Sequence, residues 1–220
     1  MEVFWFSGSA PSWRVLLTLE LKGVAYTSTL IQAFKGEHKS PEYVALNPRG
    51  KVPTLRDGDL VLPESLAIMA YLDRKFPDPP LFGRSPEETG RIWKAVMDSE
   101  LYLQPAALGI ILPIFLGQTQ EKAGRVKAAI PEVHEELHRL ETTLKGRDWL
   151  VGDAISAADI ATYPFLEALL RAAGKEVAST FELGLLSLGD RYPALEAWRQ
   201  RITALPGYDR TYPPHWREAA

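Results

Sequence analysis

The sequence predicts a small mixed α/β domain followed by an all-helical domain. Two observations support this division. Segments that suit strands alternate with segments that suit helices up to about residue 76, and beyond residue 85 strand signals nearly vanish. Between them stands PDPP at residues 77–80. Proline removes a backbone donor and cannot continue a helix, so this segment predicts an extended linker.

The first domain, residues 1–77, has the predicted element order β-α-β-α-β-β-α. Strands are expected at residues 2–6, 26–31, 52–56 and 60–62, and helices at 11–23, 41–46 and 65–76. The first helix crosses between two strands and makes them parallel, whereas the turn signal Asp57-Gly58 makes the last two strands an antiparallel hairpin. This order predicts a thioredoxin-like sheet.

The linker is placed at residues 78–85 and the helical domain at 86–220. Its helices are expected at residues 86–116, with bends near Pro105 and Pro113, and at 126–144, 156–173 and 193–204. One apolar stripe repeats in steps of four and three, which predicts a buried helix face: Val126, Ile130, Val133, Leu137, Leu140 and Leu144. Ser156 and Asp159 have the spacing of a structural capping box.

Composition restricts the function. The 220 residues are 46% hydrophobic, carry a formal net charge of −3 and include no cysteine. The charge argues against a nucleic-acid partner, and the missing cysteine excludes disulfides, thiolate metal sites and a cysteine nucleophile. No signal peptide is evident, and no apolar run reaches the ~20 residues that span a bilayer. We therefore expect a cytoplasmic protein without a membrane partner.

The stretch from Gly36 to Ser65 predicts a site for a small anionic peptide. The backbone of Val52, before Pro53 at a strand start, can offer hydrogen bonds. Glu64 and Ser65 open a helix, whose first N–H groups attract a carboxylate. A second carboxylate could be held by three further side chains: His38, Lys39 and Lys51.

This stretch, with NPRGKVPTL and GEHKSPEYVALNP, resembles the glutathione-binding half of cytosolic, serine-type glutathione transferases, with phi-, zeta- and theta-like features. The resemblance covers nearly the whole chain and implies the glutathione transferase fold, with glutathione as co-substrate and no metal. It implies a cis bond before Pro53 and pairing of Val52 with the cysteinyl part. It also implies that Ser65 binds the γ-glutamyl carboxylate and Glu64 the α-ammonium group.

In phi-type members of that family, a matching His and Lys hold the glycine carboxylate of glutathione, which implies this role for His38 and Lys39. The position before the valine is commonly Gln and is Lys51 here. A lysine can still bind a carboxylate as a point charge.

The thiol-activating group is expected near the first helix. Ser9 stands five residues before Arg14, as the catalytic hydroxyl does in serine-type members, and Ser12 is the alternative. The side chain would stabilise the thiolate of glutathione, since a free thiol has a pKa of ~8.5. No tyrosine precedes the first helix, so a tyrosine-type site is not expected.

The electrophile pocket is predicted from apolar side chains: Phe34, Tyr102, Ile111 and Phe115, with Leu108, Tyr212 and Trp216 as further candidates. His134 and His138 have the spacing of a metal pair on one helix, but no third ligand accompanies them and a solvated face is expected.

The resulting hypothesis is a glutathione transferase that acts on small apolar electrophiles as a homodimer, with Arg74, Arg91 and Asp98 at the interface. Two alternatives remain. The run Ser12-Trp13-Arg14 matches glutathione-dependent isomerases of the maleylacetoacetate type, although their Ser-Ser-Cys run is Ser9-Ala10-Pro11 here. A glutathione-binding scaffold without turnover would also keep the fold.

Overall fold

The computed structural model describes residues 1–217, which form two compact units. One unit comprises Met1–Leu81 together with the described residues from Leu205 onward, and the other comprises Phe82–Ala204. The last part of the described chain therefore belongs to the α/β unit, whereas the sequence placed residues 86–220 together in one helical domain.

The first unit contains a four-stranded mixed sheet. Its strands and first helices are β1 Glu2–Trp5, α1 Ala10–Leu21, β2 Thr27–Leu30, α2 Pro41–Leu46, β3 Thr54–Asp57, β4 Leu60–Pro63 and α3 Ser65–Lys75. The strand order is β2-β1-β3-β4, with β1 and β2 parallel and the other neighbours antiparallel. The predicted thioredoxin-like sheet and its closing hairpin are confirmed.

The core of this unit lies between the sheet and α1 and α3. Val3 and Leu55 face each other across β1 and β3, and both are buried against Leu16, Ile68 and Leu72. Alternation along the strands and helical spacing in α1 and α3 bring these side chains to one layer. The apolar layer fixes the register, because a slip of one residue would turn it outward.

Residues 77–81 are tied to the first unit by one buried ion pair. Lys22 Nζ donates to Asp73 Oδ1 at 2.6 Å, to the Phe76 carbonyl at 2.7 Å and to the Pro79 carbonyl. Asp73 Oδ1 also accepts from the Leu81 backbone N–H at 2.7 Å. The bond between Asp78 and Pro79 is cis. The proline segment contains bends and is packed against the first unit.

The second unit is all-helical within the residues that the structure describes. Its helices are α4 Pro86–Asp98, α5 Gln104–Phe115, α6 Ala123–Leu144, α7 Ala157–Ala173, α8 Leu188–Arg191 and α9 Pro193–Thr203. The irregularity expected near Pro105 is a π-helical turn at Ser99–Leu103, where the Gln104 N–H bonds to the Ser99 carbonyl five residues back. No helix in residues 1–217 is both long and apolar enough to cross a membrane.

After α9 the chain returns to the first unit and adds α10 Tyr208–Thr211 and α11 Pro214–Arg217. Trp13 of α1 anchors this segment. Its ring meets those of Tyr212 and Trp216 edge-on at 5.7 and 5.4 Å, and its Nε1 donates to Thr211 Oγ1 at 2.8 Å. Aromatic pairs at such separations stabilise beyond their buried area, so the segment is held by more than apolar contact.

The expectation that His134 and His138 both lie on a solvated helix face is wrong for His134, whose two ring nitrogens are hydrogen-bonded within the protein. Its Nε2 bonds to the Leu183 carbonyl at 3.0 Å, which requires a proton on Nε2, and its Nδ1 then accepts from the Tyr192 hydroxyl at 2.8 Å. Burial lowers the pKa of His134. His138 is exposed on the same helix. Among the described residues, no three His, Asp or Glu side chains are grouped as metal ligands.

Asp159 is the polar centre of the second unit, and the predicted capping box with Ser156 is confirmed. The fully buried carboxylate accepts four hydrogen bonds of 2.8 to 3.0 Å, from the backbone N–H groups of Leu150 and Ser156, the Ser156 hydroxyl and Trp198 Nε1. Burial raises the pKa of Asp159, while these donors oppose the shift. One side chain thus joins α7, α9 and the loop before α7.

We expect Asp159→Ala to lower the free energy of unfolding by about 3 kcal/mol, because each buried donor left unpaired costs roughly 1–3 kcal/mol and the costs are not additive. Urea unfolding followed by circular dichroism measures the change. Asp153→Ala, an exposed carboxylate in the same loop, is the control and should remain within about 0.5 kcal/mol. An unchanged midpoint for Asp159→Ala would contradict this account.

Candidate functional site

Strand pairing brings three separate points of the chain to one end of the sheet. Thr54, the first residue of β3, lies opposite Phe4 near the end of β1 and opposite Pro63 at the end of β4. The loop after β1, the residues before β3 and the start of α3 therefore meet at the same end of the strands, here called the sheet end. These are the segments that carry Ser9, Val52 and Ser65.

Ser9 is the N-cap of α1. Its Oγ accepts from the Ser12 backbone N–H at 3.3 Å, and 9% of the residue surface is exposed. A hydroxyl that accepts one bond still has a proton to donate, so Ser9 can cap the helix and bind a second group. The helix begins at Ala10, one residue before the predicted Pro11, because Ser9 already supplies the cap.

Ser12 lies in the first turn of α1 and has no exposed surface. Its hydroxyl is buried and finds no hydrogen-bond partner among residues 1–217. A side chain in that position reaches no ligand unless the helix moves. Of the two serines proposed for thiol activation, only Ser9 keeps some exposed surface.

The bond between Val52 and Pro53 is cis, as the family resemblance implied. Side chains from α2 and its end hold the neighbouring backbone. The Lys51 carbonyl accepts from Tyr43 Oη and Asn47 Nδ2, each at 2.7 Å, and both groups also contact Thr54 Oγ1. Burial raises the pKa of Tyr43. This network places the Val52 backbone beside the start of β3.

Tyr43 and Asn47 were missed by the sequence analysis. Both are buried, and both act through the backbone of residues 51–54. A polar residue directly after a predicted short helix and ahead of a proline was the available signal for Asn47. Tyr43 gave no signal that distinguishes it from an ordinary core aromatic residue.

His38 and Lys39 lie against the segment before Val52. Lys39 Nζ donates to the carbonyls of Arg49 and Gly50 at 3.4 and 3.2 Å. A Cβ at Gly50, where φ is +55°, would lie 2.8 Å from the His38 carbonyl, so this approach requires glycine. His38 Nδ1 is buried without a hydrogen-bond partner in the described chain, whereas Lys51 is exposed.

Glu64, and not Ser65, is the N-cap of α3. Ser65 was predicted to cap the helix, but it is the first helical residue and is mostly buried. Glu64 has φ +72°, a conformation that costs a non-glycine residue roughly 1–3 kcal/mol and that clusters at functional sites. Its side chain makes no cap hydrogen bond, so the first turn of α3 keeps donors for an anion.

The four residues proposed for the electrophile pocket differ in their surroundings. Phe34 lies in the first unit with 86% of its surface exposed. Ile111 is buried in the helical core, and Phe115 is partly exposed at the end of α5. Tyr102 is exposed and lines a groove of about 810 Å³ beside α4 and α6, whose wall also includes Arg91, Asp98, Glu136 and Arg139.

Four exposed apolar side chains, here called the exposed apolar face, lie in two pairs along α4, the π-helical turn and α5. Met97 and Leu101 are four residues apart, Leu112 and Phe115 are three apart, and between 39% and 58% of each surface is exposed. Such spacing places side chains on one helix face. Several large apolar side chains exposed on the same helical segment are a feature of binding sites. The sequence analysis named Phe115 but not its three companions, because single apolar residues in a helix resemble core residues.

Comparison with known proteins matches both parts of the chain to one family. Residues 8–75 match the model of the glutathione S-transferase N-terminal domain, and residues 103–206 match that of the glutathione S-transferase C-terminal domain. Glutathione S-transferase 1 of Dianthus caryophyllus is 34% identical over 91% of this chain and 90% of its own length. Glutathione S-transferase A of Pleuronectes platessa is 31% identical over the whole chain and 94% of its own length.

Solved structures agree. A glutathione S-transferase from the Antarctic clam Laternula elliptica has a TM-score of 0.83 and 31% identity, covering 99% of this chain and 94% of its own. A glutathione S-transferase I with bound lactoylglutathione has a TM-score of 0.78 and 26% identity, covering 96% of this chain and 97% of its own. With both domain models matched and relatives above 30% identity along nearly the full length, this chain belongs to the glutathione S-transferase family.

Proposed function

We propose that this glutathione transferase is of the serine type and that Ser9 stabilises the thiolate of glutathione. One observation carries the proposal. Ser9 caps α1 at the sheet end where the backbone of Val52 and the start of α3 also lie. A hydroxyl at a helix N-terminus combines a hydrogen-bond donor with the positive end of the helix dipole, and both favour a sulfur anion.

The same sheet end offers complementary groups for the rest of the tripeptide. We assign the γ-glutamyl carboxylate to Ser65 and the first turn of α3, and the α-ammonium group to Glu64. The peptide backbone at the cysteinyl part pairs with Val52, ahead of Pro53. The glycine carboxylate is assigned to His38, Lys39 and Lys51, since the His38 Nδ1 atom is buried without a partner in the described chain.

In the proposed reaction, the thiol of bound glutathione loses its proton to solvent while Ser9 Oγ donates a hydrogen bond to sulfur. The thiolate attacks an electrophilic carbon, forms a carbon–sulfur bond and displaces the leaving group with its electron pair. Ser9 forms no covalent bond. A hydrogen bond to a charged group contributes about 1.5–3 kcal/mol, which corresponds to roughly one to two pKa units.

The relatives reported above are named as transferases, so the isomerase and scaffold alternatives are not favoured. We infer a role in detoxification of small apolar electrophiles in the cytoplasm, without nucleic-acid or membrane partners. The exposed apolar face of Met97, Leu101, Leu112 and Phe115 supports binding of the electrophile to the second unit. On this proposal Phe115 contributes directly, and Phe34 and Tyr102 remain candidates.

We also infer a homodimer. In a two-fold interface the same surface contacts itself, so a self-complementary surface needs charges of both signs. The groove beside α4 and α6 has this character, since Arg91, Lys94 and Arg139 stand beside Asp98 and Glu136. Arg74 of α3 is exposed and remains a candidate for the same interface.

Ser9→Ala should lower kcat/KM for 1-chloro-2,4-dinitrobenzene at pH 7 by about ten- to a hundredfold, because the hydrogen bond to the thiolate is lost. Ser12→Ala is the matched control and should stay within about twofold, since the Ser12 side chain has no exposed surface. Steady-state kinetics at saturating glutathione provide the comparison. The opposite order of effects would assign activation to Ser12.

Phe115→Ala should raise the KM for an apolar electrophile by about fivefold or more while the KM for glutathione stays unchanged. Loss of one apolar contact of this size costs about 1–3 kcal/mol. Leu186→Ala, a highly exposed leucine elsewhere in the second unit, is the control. If both variants behave alike, the apolar face does not bind the electrophile.

Sedimentation of the native protein should give twice the chain mass of 24.5 kDa. Charge reversal by Arg91→Glu should shift the equilibrium toward the monomer, because it replaces one positive charge of the groove by a negative charge and disturbs the complementarity. Lys127→Glu reverses an exposed charge elsewhere on α6 and should leave the dimer intact. A monomer in the unaltered protein at micromolar concentration would refute the inference.

A further inference from the structure

The segment of α10 and α11 reaches the loop that carries Ser9. His215 Nδ1 lies 2.5 Å from Ser7 Oγ, which joins the two side chains by a hydrogen bond. A Cβ added at Gly8 would lie 2.8 Å from His215 Cε1 and 3.2 Å from Trp216 Nε1. His215 therefore contacts both residues that precede Ser9.

The position of His215 is fixed on the other side by α1. Trp13 packs on Tyr212 and Trp216 and bonds to Thr211, and its own backbone N–H donates to the Ser9 carbonyl at 2.9 Å. Trp13 is buried. The α10 and α11 segment thus holds the first turn of α1 and the loop before it at the same time.

Gly8 makes such a restraint necessary. Its φ is +83°, and glycine without a side chain can rotate through many backbone conformations. A hydrogen bond weakens steeply as its angle departs from linear, so rotation at Gly8 would turn the Ser9 hydroxyl away from a bound sulfur. Small displacements of a reacting group can cost large factors in rate.

We propose that His215 is a positioning residue for thiol activation: through its hydrogen bond to Ser7 and its contact with Gly8, it holds the loop in which Ser9 faces the sulfur of glutathione. The proposal rests on the assignment of Ser9 made above. On this proposal the α10 and α11 segment supports the glutathione site through the loop of Ser9, without direct contact between His215 and the ligand.

The test is a titration of enzyme-bound glutathione, followed by the thiolate absorbance near 240 nm. His215→Ala and Ser7→Ala should each raise the pKa of the bound thiol by about one unit, which is a tenfold decrease in its ionisation constant. The double variant should do no more than either single one, because both remove the same hydrogen bond. His215→Asn, which keeps a polar atom near Ser7, should largely restore the thiol pKa.

Two controls separate positioning from a general loss of structure. S-methylglutathione, which has no thiol proton, should bind all these variants with dissociation constants within about twofold of the parent, since the carboxylate sites are untouched. His138→Ala removes an exposed histidine from α6 and should leave the thiol pKa unchanged. Ser7→Ala leaves the aromatic contacts of the α10 and α11 segment in place, so it remains informative if His215→Ala fails to fold.

A parent-like thiol pKa in Ser7→Ala and in folded His215→Ala overturns the proposal, as do additive shifts in the double variant. Ser9→Ala distinguishes this failure from a failure of the proposed function. If Ser9→Ala raises the thiol pKa and the other two variants do not, only the role of His215 is refuted. If Ser9→Ala has no effect either, the activation by Ser9 is refuted with it.

Discussion

The antiparallel pairing of β3 with β1 and β4 determines where the groups that we propose for glutathione binding lie in the first unit. Because Thr54 is opposite both Phe4 and Pro63, the ends of β1 and β4 and the start of β3 meet at the sheet end. The buried layer around Val3 and Leu55 fixes that register. The N-termini of α1 and α3 follow β1 and β4 in the chain and lie at the sheet end, where both attract negative charge.

Buried polar contacts hold the irregular backbone of residues 49–51, which leads into β3 at the sheet end. Tyr43 and Asn47 bond to the Lys51 carbonyl, and Lys39 bonds to the carbonyls of residues 49 and 50. These contacts satisfy backbone groups that no strand reaches, since β3 begins only at Thr54. On the other side the loop of Ser9 is held by His215. A rigid edge can present its donors without reorganising when a ligand binds.

Much of this could be predicted from the sequence, because local signals decide it. The crossover helix predicted that β1 and β2 are parallel, the turn at Asp57-Gly58 predicted the hairpin of β3 and β4, and the capping box predicted the start of α7. The features that the sequence did not predict depend on contacts between residues that are far apart in the sequence. Ser65 suited an N-cap by residue type, but tertiary structure holds Glu64 at positive φ. The partner of His134 stands 58 residues away at Tyr192, and nothing periodic links Trp13 to Trp216.

Proton release on binding tests the central claim most directly. Bound glutathione should lose its thiol proton more readily than free glutathione, so calorimetric titration near pH 7 in buffers of different ionisation enthalpy should detect proton release on binding. S-methylglutathione, which cannot lose a thiol proton, should release none. Equal proton release for the two ligands would contradict the claim that this edge of the sheet stabilises the sulfur anion.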